Sequence, residues 1–217
     1  MDASPDLIPR LQQATSIHVF GAGLNPERTS HTAVPELRQR GWRVVPVHPR
    51  DAGACIAGVP IRGSVEAGTL LEVAVLFLAP ERARAQVRRL LMTPFETPPL
   101  VWFQPGAEDD IALEWLSDAG WKSVHADCIV RYSERHNLER SPVNAPWYRQ
   151  IADEDGSGCS VWTAHTADEH AAPPTTEVEW VGDLLDLQTS TATVPAYIRS
   201  LQTDDESLED CALRLSR

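Results

Sequence analysis

The sequence predicts an α/β protein: a doubly wound, Rossmann-like five-stranded parallel sheet with an acidic C-terminal extension. Three observations carry that reading. Short apolar segments alternate with amphipathic ones across residues 16–126, the signature of strands joined by crossover helices. The first apolar segment runs straight into Gly21-Ala22-Gly23, a strand-to-helix turn. The charge then changes character: residues 1–140 carry 15 basic and 17 acidic side chains, residues 141–217 only 4 basic against 14 acidic.

Taken in order, Ser4-Pro5 has the form of an N-cap with proline at the first helical position, and Leu7, Ile8 and Leu11 give the following helix one apolar face. Residues 16–20 (SIHVF) read as the first strand. After the loop GAGLNPERTS, Ser30 is placed to cap a helix that runs to Arg40 and is closed by Gly41, with Pro35 as an awkward interior residue. WRVVPV (42–47) is the second strand. VAVLFL (73–78) is continuously apolar, as a strand buried on both faces should be. Residues 80–92 form an amphipathic helix with Ala83, Val87, Leu90 and Leu91 inward and arginines outward. LVWF (100–103), a helix over 107–119 and WKSVHA (121–126) complete the alternation. Beyond residue 140 a polar stretch over 152–176 reads as loop. Thr203 and Glu206 have capping-box spacing ahead of a helix bearing Leu208, Cys211, Ala212 and Leu215. The expected division is therefore 1–140 and 141–217.

Composition narrows the function. The formal net charge is -12, and a surface so acidic repels nucleic acid and anionic lipid, so neither is an expected partner. Cys55, Cys128, Cys159 and Cys211 lie far apart with no CxxC pair, which argues against a zinc knuckle or disulfide framework and fits a reducing cytosol. The beginning of the chain, with Asp2 and Asp6, has no apolar run of the signal-peptide kind, and a cytoplasmic location is expected. His125-x-x-Cys128 and the pair His165 and His170 around Asp168-Glu169 supply too few ligands to close a metal site.

In an open α/β sheet the ligand sits beyond the carboxyl ends of the strands, at the point where strand order reverses. The turn Gly21 to His31 lies at such an end. Its glycines allow close backbone approach, the next helix offers free N–H groups to a phosphate, and Arg28 adds a forked donor. It is neither GxGxxG nor a P-loop, because Pro26 stands where the last glycine would be and GK[ST] is absent. The second strand ends in His48-Pro49-Arg50, where an NAD site carries a carboxylate for the ribose. Cations in that place point to a ribose that is itself phosphorylated, as in NADP and coenzyme A.

The blocks GAGLNPERTSH, VVPVHPR, LFLAPE, WFQPGAEDD and DCI occur in that order across residues 14–138, and together they resemble the bacterial stand-alone CoA-binding domain family. That family is related to the CoA-binding domain of the succinyl-CoA synthetase α subunit. The resemblance implies that Gly21, Gly23, Asn25, Arg28 and Ser30 surround the diphosphate. It implies that His48 and Arg50 lie near the 3′-phosphate, and that Ala79 and Pro80 border the adenine. Gln104, Pro105 and Gly106 would line the pantetheine path, with Cys128 near its end, either as a reactive thiol or as a small packing residue. Leu78-Ala79 departs from the family pattern, which often has arginine before the proline. Nothing in that pattern corresponds to the stretch after residue 140.

The resulting expectation is a protein that binds coenzyme A or an acyl-CoA and has no evident catalytic centre, with a homodimer as one possible state. The alternative is an NAD(P)-binding redox or regulatory module on the same fold. Against it stand the missing carboxylate after the second strand and the absence of a Tyr-xxx-Lys pair, Lys122 being the only lysine. A third reading makes the pocket vestigial and the acidic extension a dock for a basic partner.

Overall fold

The computed structural model describes residues 6–66, 68–141 and 144–216, so the helix start read at Ser4-Pro5 lies outside the described residues. The chain divides into two compact units, one of Met1–Val45 with Leu71–Val143 and one of Pro46–Leu70 with Asn144–Arg217. Residues 46–70, placed by sequence with the first domain, thus group with the C-terminal segment.

The first unit begins with α1 (Leu7–Gln13) and β1 (Ser16–Phe20), followed by α2 (Thr29–Gln39) and β2 (Arg43–Val47). The short strands β3 (Cys55–Ile56) and β4 (Val59–Pro60) belong to the second unit and intervene. The first unit resumes with β5 (Val73–Leu76), α3 (Pro80–Met92), β6 (Leu100–Phe103), α4 (Asp110–Asp118), β7 (Ser123–Val124) and α5 (Ile129–Arg135). The strands form one parallel sheet in the order β2-β1-β5-β6-β7. The chain leaves β1 toward β2 and later returns to β1's other side at β5, so strand order reverses between β1 and β5. β1, β5 and β6 are buried at every position; VAVL and LVWF are accordingly continuous apolar runs, while β1 also buries the polar Ser16 and His18.

Several helices differ from the sequence reading. α2 starts at Thr29 with Arg28 in the cap position, and Ser30 lies inside it. Pro35 sits within this helix, which survives because Ala33, Val34 and Leu37 are buried beneath it. α4 begins three residues later than read, since the Asp109 carboxylate caps it by accepting from the Ala112 N–H at 3.0 Å. β7 is only two residues long because the Trp121 N–H turns back to the Leu116 carbonyl. The seven-residue α5, unread in the sequence, buries Ile129, Val130 and Tyr132.

In the second unit, β8 (Trp147–Ala152), β9 (Ser160–His165) and β10 (Val178–Asp183) form an antiparallel sheet with β8 in the centre. Three helices follow: α6 (Leu184–Thr189), α7 (Thr193–Ser200) and α8 (Leu208–Leu215). Tyr148, Trp162 and Trp180 stack at centroid separations of 5.6 and 5.8 Å, and Tyr148 and Trp180 pack with Leu187, Ile198 and Ala212. Residues 152–176 are therefore not one loop: β9 lies inside them, its polar residues flanking the buried aromatics. Nor does Thr203 cap α8. Ser207 does, accepting from the Asp210 N–H at 3.1 Å; the Thr203 N–H does donate to Glu206 Oε1 at 2.9 Å, but in the turn before the helix, and Glu206 also pairs with Arg214 at 2.5 Å.

Among the described residues, no helix is long and apolar enough to cross a membrane, and no cluster of three metal-ligating side chains occurs.

Candidate functional site

The turn after β1 is built around Gly21, whose φ is +90°. An added Cβ would run into the Phe77 carbonyl oxygen and meet the Leu78 side chain at 3.2 Å. Only glycine tolerates both the left-handed backbone and that approach. The Phe77 N–H bonds the Phe20 carbonyl at 3.0 Å, so the ends of β1 and β5 are drawn together at the reversal of strand order.

The rest of the loop is locked from within. The Ser30 hydroxyl donates to the Gly21 carbonyl at 2.9 Å, and His31 Nδ1 donates to the Gly23 carbonyl at 2.9 Å. Asn25 Oδ1 accepts from the Glu27 N–H at 3.0 Å, an Asx turn that leaves its amide NH2 uncommitted to that bond. Ser30 thus spends its hydroxyl on closing the loop and faces a ligand only through its backbone N–H, one of the free donors of the first helical turn. The sequence reading missed His31 as a loop fastener, although it stands in the same motif. Arg28 is exposed, and no carboxylate among the described residues pairs with it.

Ala79 is the N-cap of α3 and Pro80 its first residue, so both follow β5 directly. Beyond β6, Gln104 is 5% exposed, and its side-chain nitrogen has no hydrogen-bond partner among the described residues. Gly106 has φ +90° with open space where a Cβ would point. Glu108, unread in the sequence, binds the Gly106 N–H at 2.6 Å and the Ala126 N–H at 3.1 Å, tying the loop after β6 to the loop after β7. Burial alone would push its carboxyl up. The N–H groups of Glu108 itself, Gly106 and Ala126, with the His125 charge, outweigh burial and hold it below the usual range. Cys128 caps α5 as a half-buried free thiol, and the Asp127 carbonyl beside it accepts from Trp102 Nε1 at 2.8 Å.

Gly21, Gly23, Asn25, Arg28, Ser30, Ala79, Pro80, Gln104, Gly106 and Cys128 therefore all follow carboxyl ends of strands in the parallel sheet of the first unit. Cys128 lies beyond the outermost strand, three positions from β1. His48 and Arg50 follow β2 and belong to the second unit. His48 Nδ1 lies 3.0 Å from Asp51 Oδ2, and Arg50 is exposed.

Residues 15–134 match the family model described as a CoA binding domain, which covers more than half of the chain. The chain belongs to the CoA binding domain family. The match crosses residues 46–70 and stops short of the C-terminal sheet. Among solved structures, the chain is similar to Prb, a protein redesigned for binding, at 27% identity and TM-score 0.55 over 64% of this chain and 97% of that one. It is similar to the Thermus thermophilus protein "cell-free ID.343" at 29% identity and TM-score 0.55, over 60% of this chain and 96% of the other. A hypothetical protein from Pyrococcus horikoshii OT3, 24% identical with TM-score 0.51 over 62% and 98% of the two chains, shares the fold. Comparison with curated proteins gives no match.

Two consequences are measurable. Gly21→Ala is expected to cost about 1–3 kcal/mol in denaturant unfolding, from left-handed strain and contact with Phe77; a neutral substitution contradicts the turn as described. For Glu108 the folded carboxyl titrates lower than the unfolded one. Its contribution is complete above the unfolded value, about 4.3, and is lost as pH falls through the folded value. Glu108→Gln should lower stability by about 1 kcal/mol at neutral pH and lessen its decline in acid. Parallel stability-pH curves for the two proteins would show that the carboxylate contributes nothing.

Proposed function

We propose that the protein binds coenzyme A or an acyl-CoA at the carboxyl edge of the parallel sheet. The observation that carries this reading is the Gly21–Ser30 loop: a glycine turn at the reversal of strand order, opening onto the first turn of α2 beside an unpaired arginine. Family membership supports it. In this reading Gly21, Gly23 and Asn25, the Thr29 and Ser30 N–H groups at the start of α2 and the Arg28 side chain surround the diphosphate, and Ala79 and Pro80 border the adenine. The unpaired Gln104 amide bonds a polar group of the pantetheine arm, and Gly106 leaves that arm room. Cys128 lies toward the thiol end.

The NAD(P) reading on the same fold is disfavoured by the sequence directly after β2, where His48-Pro49-Arg50 stand in place of the carboxylate that an NAD site offers the ribose. Thermal unfolding separates the two. CoA at a hundredfold excess over its Kd should stabilise by about 2.7 kcal/mol, roughly several degrees, and NAD at the same concentration should leave the midpoint in place. Equal shifts with NAD and CoA would overturn the proposal.

A further inference from the structure

The antiparallel sheet of the second unit has two edges, and they differ. β8 lies between β9 and β10, so each outer strand has one side without a strand neighbour. A free strand edge is a row of N–H and C=O groups that another strand can join, and proteins blunt it with charge, proline or a bulge. β10 is blunted. Its pairing with β8 shifts register between Val178 and Trp180, with Glu179 at the irregularity, and Asp183 at its end caps α6 with its side chain.

β9 has none of these devices. Its pairs with β8, from Ser160 opposite Ala152 to His165 opposite Trp147, run without a shift, and SVWTAH holds neither proline nor Asp, Glu, Lys or Arg. The Asp153 N–H bonds the Cys159 carbonyl at 2.9 Å, which makes the pair next to the hairpin turn a hydrogen-bonded one. Alternation along an antiparallel ladder then turns the backbone groups of Val161, Thr163 and His165 toward β8 and those of Ser160, Trp162 and Ala164 away from it. Among the described residues no hydrogen bond reaches the N–H or C=O of those three. The outward row ends at Thr166, whose N–H is taken by Glu169 at 3.1 Å. The strand is also held firm from within: Trp162 stacks with Tyr148 and Trp180, and its Nε1 donates to the Ala212 carbonyl at 2.9 Å. An edge fixed in this way gives up little further freedom when a strand is added.

Charge decides which strand fits. Residues 141–217 carry 14 acidic side chains, yet residues 156–167 contain no Asp, Glu, Lys or Arg. A partner chosen for opposite charge would find no carboxylate along β9 to pair with. A second copy of this chain, itself strongly acidic, needs such a neutral stretch in order to approach. Two β9 strands set antiparallel about a twofold axis at Trp162 bring Ser160 opposite Ala164 and Val161 opposite Thr163, all uncharged. The nearest carboxylates in sequence, Asp155 and Asp168, lie outside the strand, and Gly156 and Gly158, both with positive φ, turn the chain between Asp155 and β9. We propose that β9 is a self-association edge: the β9 strands of two copies pair antiparallel and join their three-stranded sheets into one continuous sheet. This gives the C-terminal sheet a function that the family match, ending at residue 134, does not supply.

The test is sedimentation equilibrium of the full chain, without ligand, for wild type and two variants. Wild type should form a dimer in the micromolar range. Ser160→Pro removes an N–H that faces away from β8, so the ladder within one copy is kept while the pair of copies loses one hydrogen bond on each side of the axis. Val161→Lys changes a side chain that is 38% exposed and sets two like charges near each other across the axis. Each variant should raise the dimer dissociation constant about tenfold or more, with circular dichroism showing that the chain is folded. If Ser160→Pro does not fold, Val161→Lys gives the same readout from an exposed position. A wild-type chain that stays monomeric at concentrations well above micromolar overturns the inference and leaves the edge to another protein or to none. A folded Val161→Lys that dimerises as wild type does places the contact elsewhere and overturns it as well. Neither outcome bears on CoA binding, which belongs to the first unit.

Discussion

The close approach of Gly21 to the Phe77 carbonyl is the constraint on which the candidate site depends. It lets β1 end and turn within a single residue while β5 continues alongside. The turn directs the chain toward α2 with its first N–H groups facing the sheet edge, and Ser30 and His31 then fasten the loop by side-chain bonds to its own carbonyls. These bonds satisfy carbonyl oxygens and leave amide donors over, so the loop offers hydrogen-bond donors to whatever arrives. Free amide donors beside the positive end of a helix suit an anion.

At the other end of the sheet the organising group is acidic. Glu108 gathers N–H groups from two loops and holds them close to the strand ends. In the second unit the roles reverse: one buried arginine gathers two carboxylates. Breaking such a pair on one side would leave a charge buried and uncompensated, which costs more than the pair itself contributes. That asymmetry explains how a segment with so many acidic side chains retains a defined sheet and three helices. The few basic groups available are placed where carboxylates are buried, at Arg62, or where they close a helix end, at Arg214 with Glu206.

The sequence made the parallel sheet legible because its strands are buried on both faces: the apolar runs at 73–76 and 100–103 leave no ambiguity of period, and SIHVF leads straight into the glycine turn. It concealed the second unit for the opposite reason. β8 and β9 mix buried aromatics with polar positions, and the Trp162 that anchors β9 sits in a stretch otherwise rich in Asp, Ser and Thr. Helix starts were legible only where the cap competes with nothing nearby. Ser30 looks like a cap, but its hydroxyl serves Gly21, and Glu206 does accept from the Thr203 N–H, but in a turn that precedes α8 and while also pairing with Arg214. At the candidate site the glycines and Arg28 could be read from the motif. Glu108 could not, because the Ala126 N–H it binds lies 18 residues on in the chain; in the second unit the same holds for Arg62, whose partner Asp186 is 124 residues away.

The proposed function makes the carboxyl edge of the parallel sheet a binding edge for a long ligand with an anionic end and a polar arm. Native mass spectrometry of the intact protein, mixed with equal concentrations of CoA and NAD, tests it most directly. The account predicts one CoA retained per chain and no NAD adduct. Retention of NAD in preference to CoA, or of neither, would contradict it.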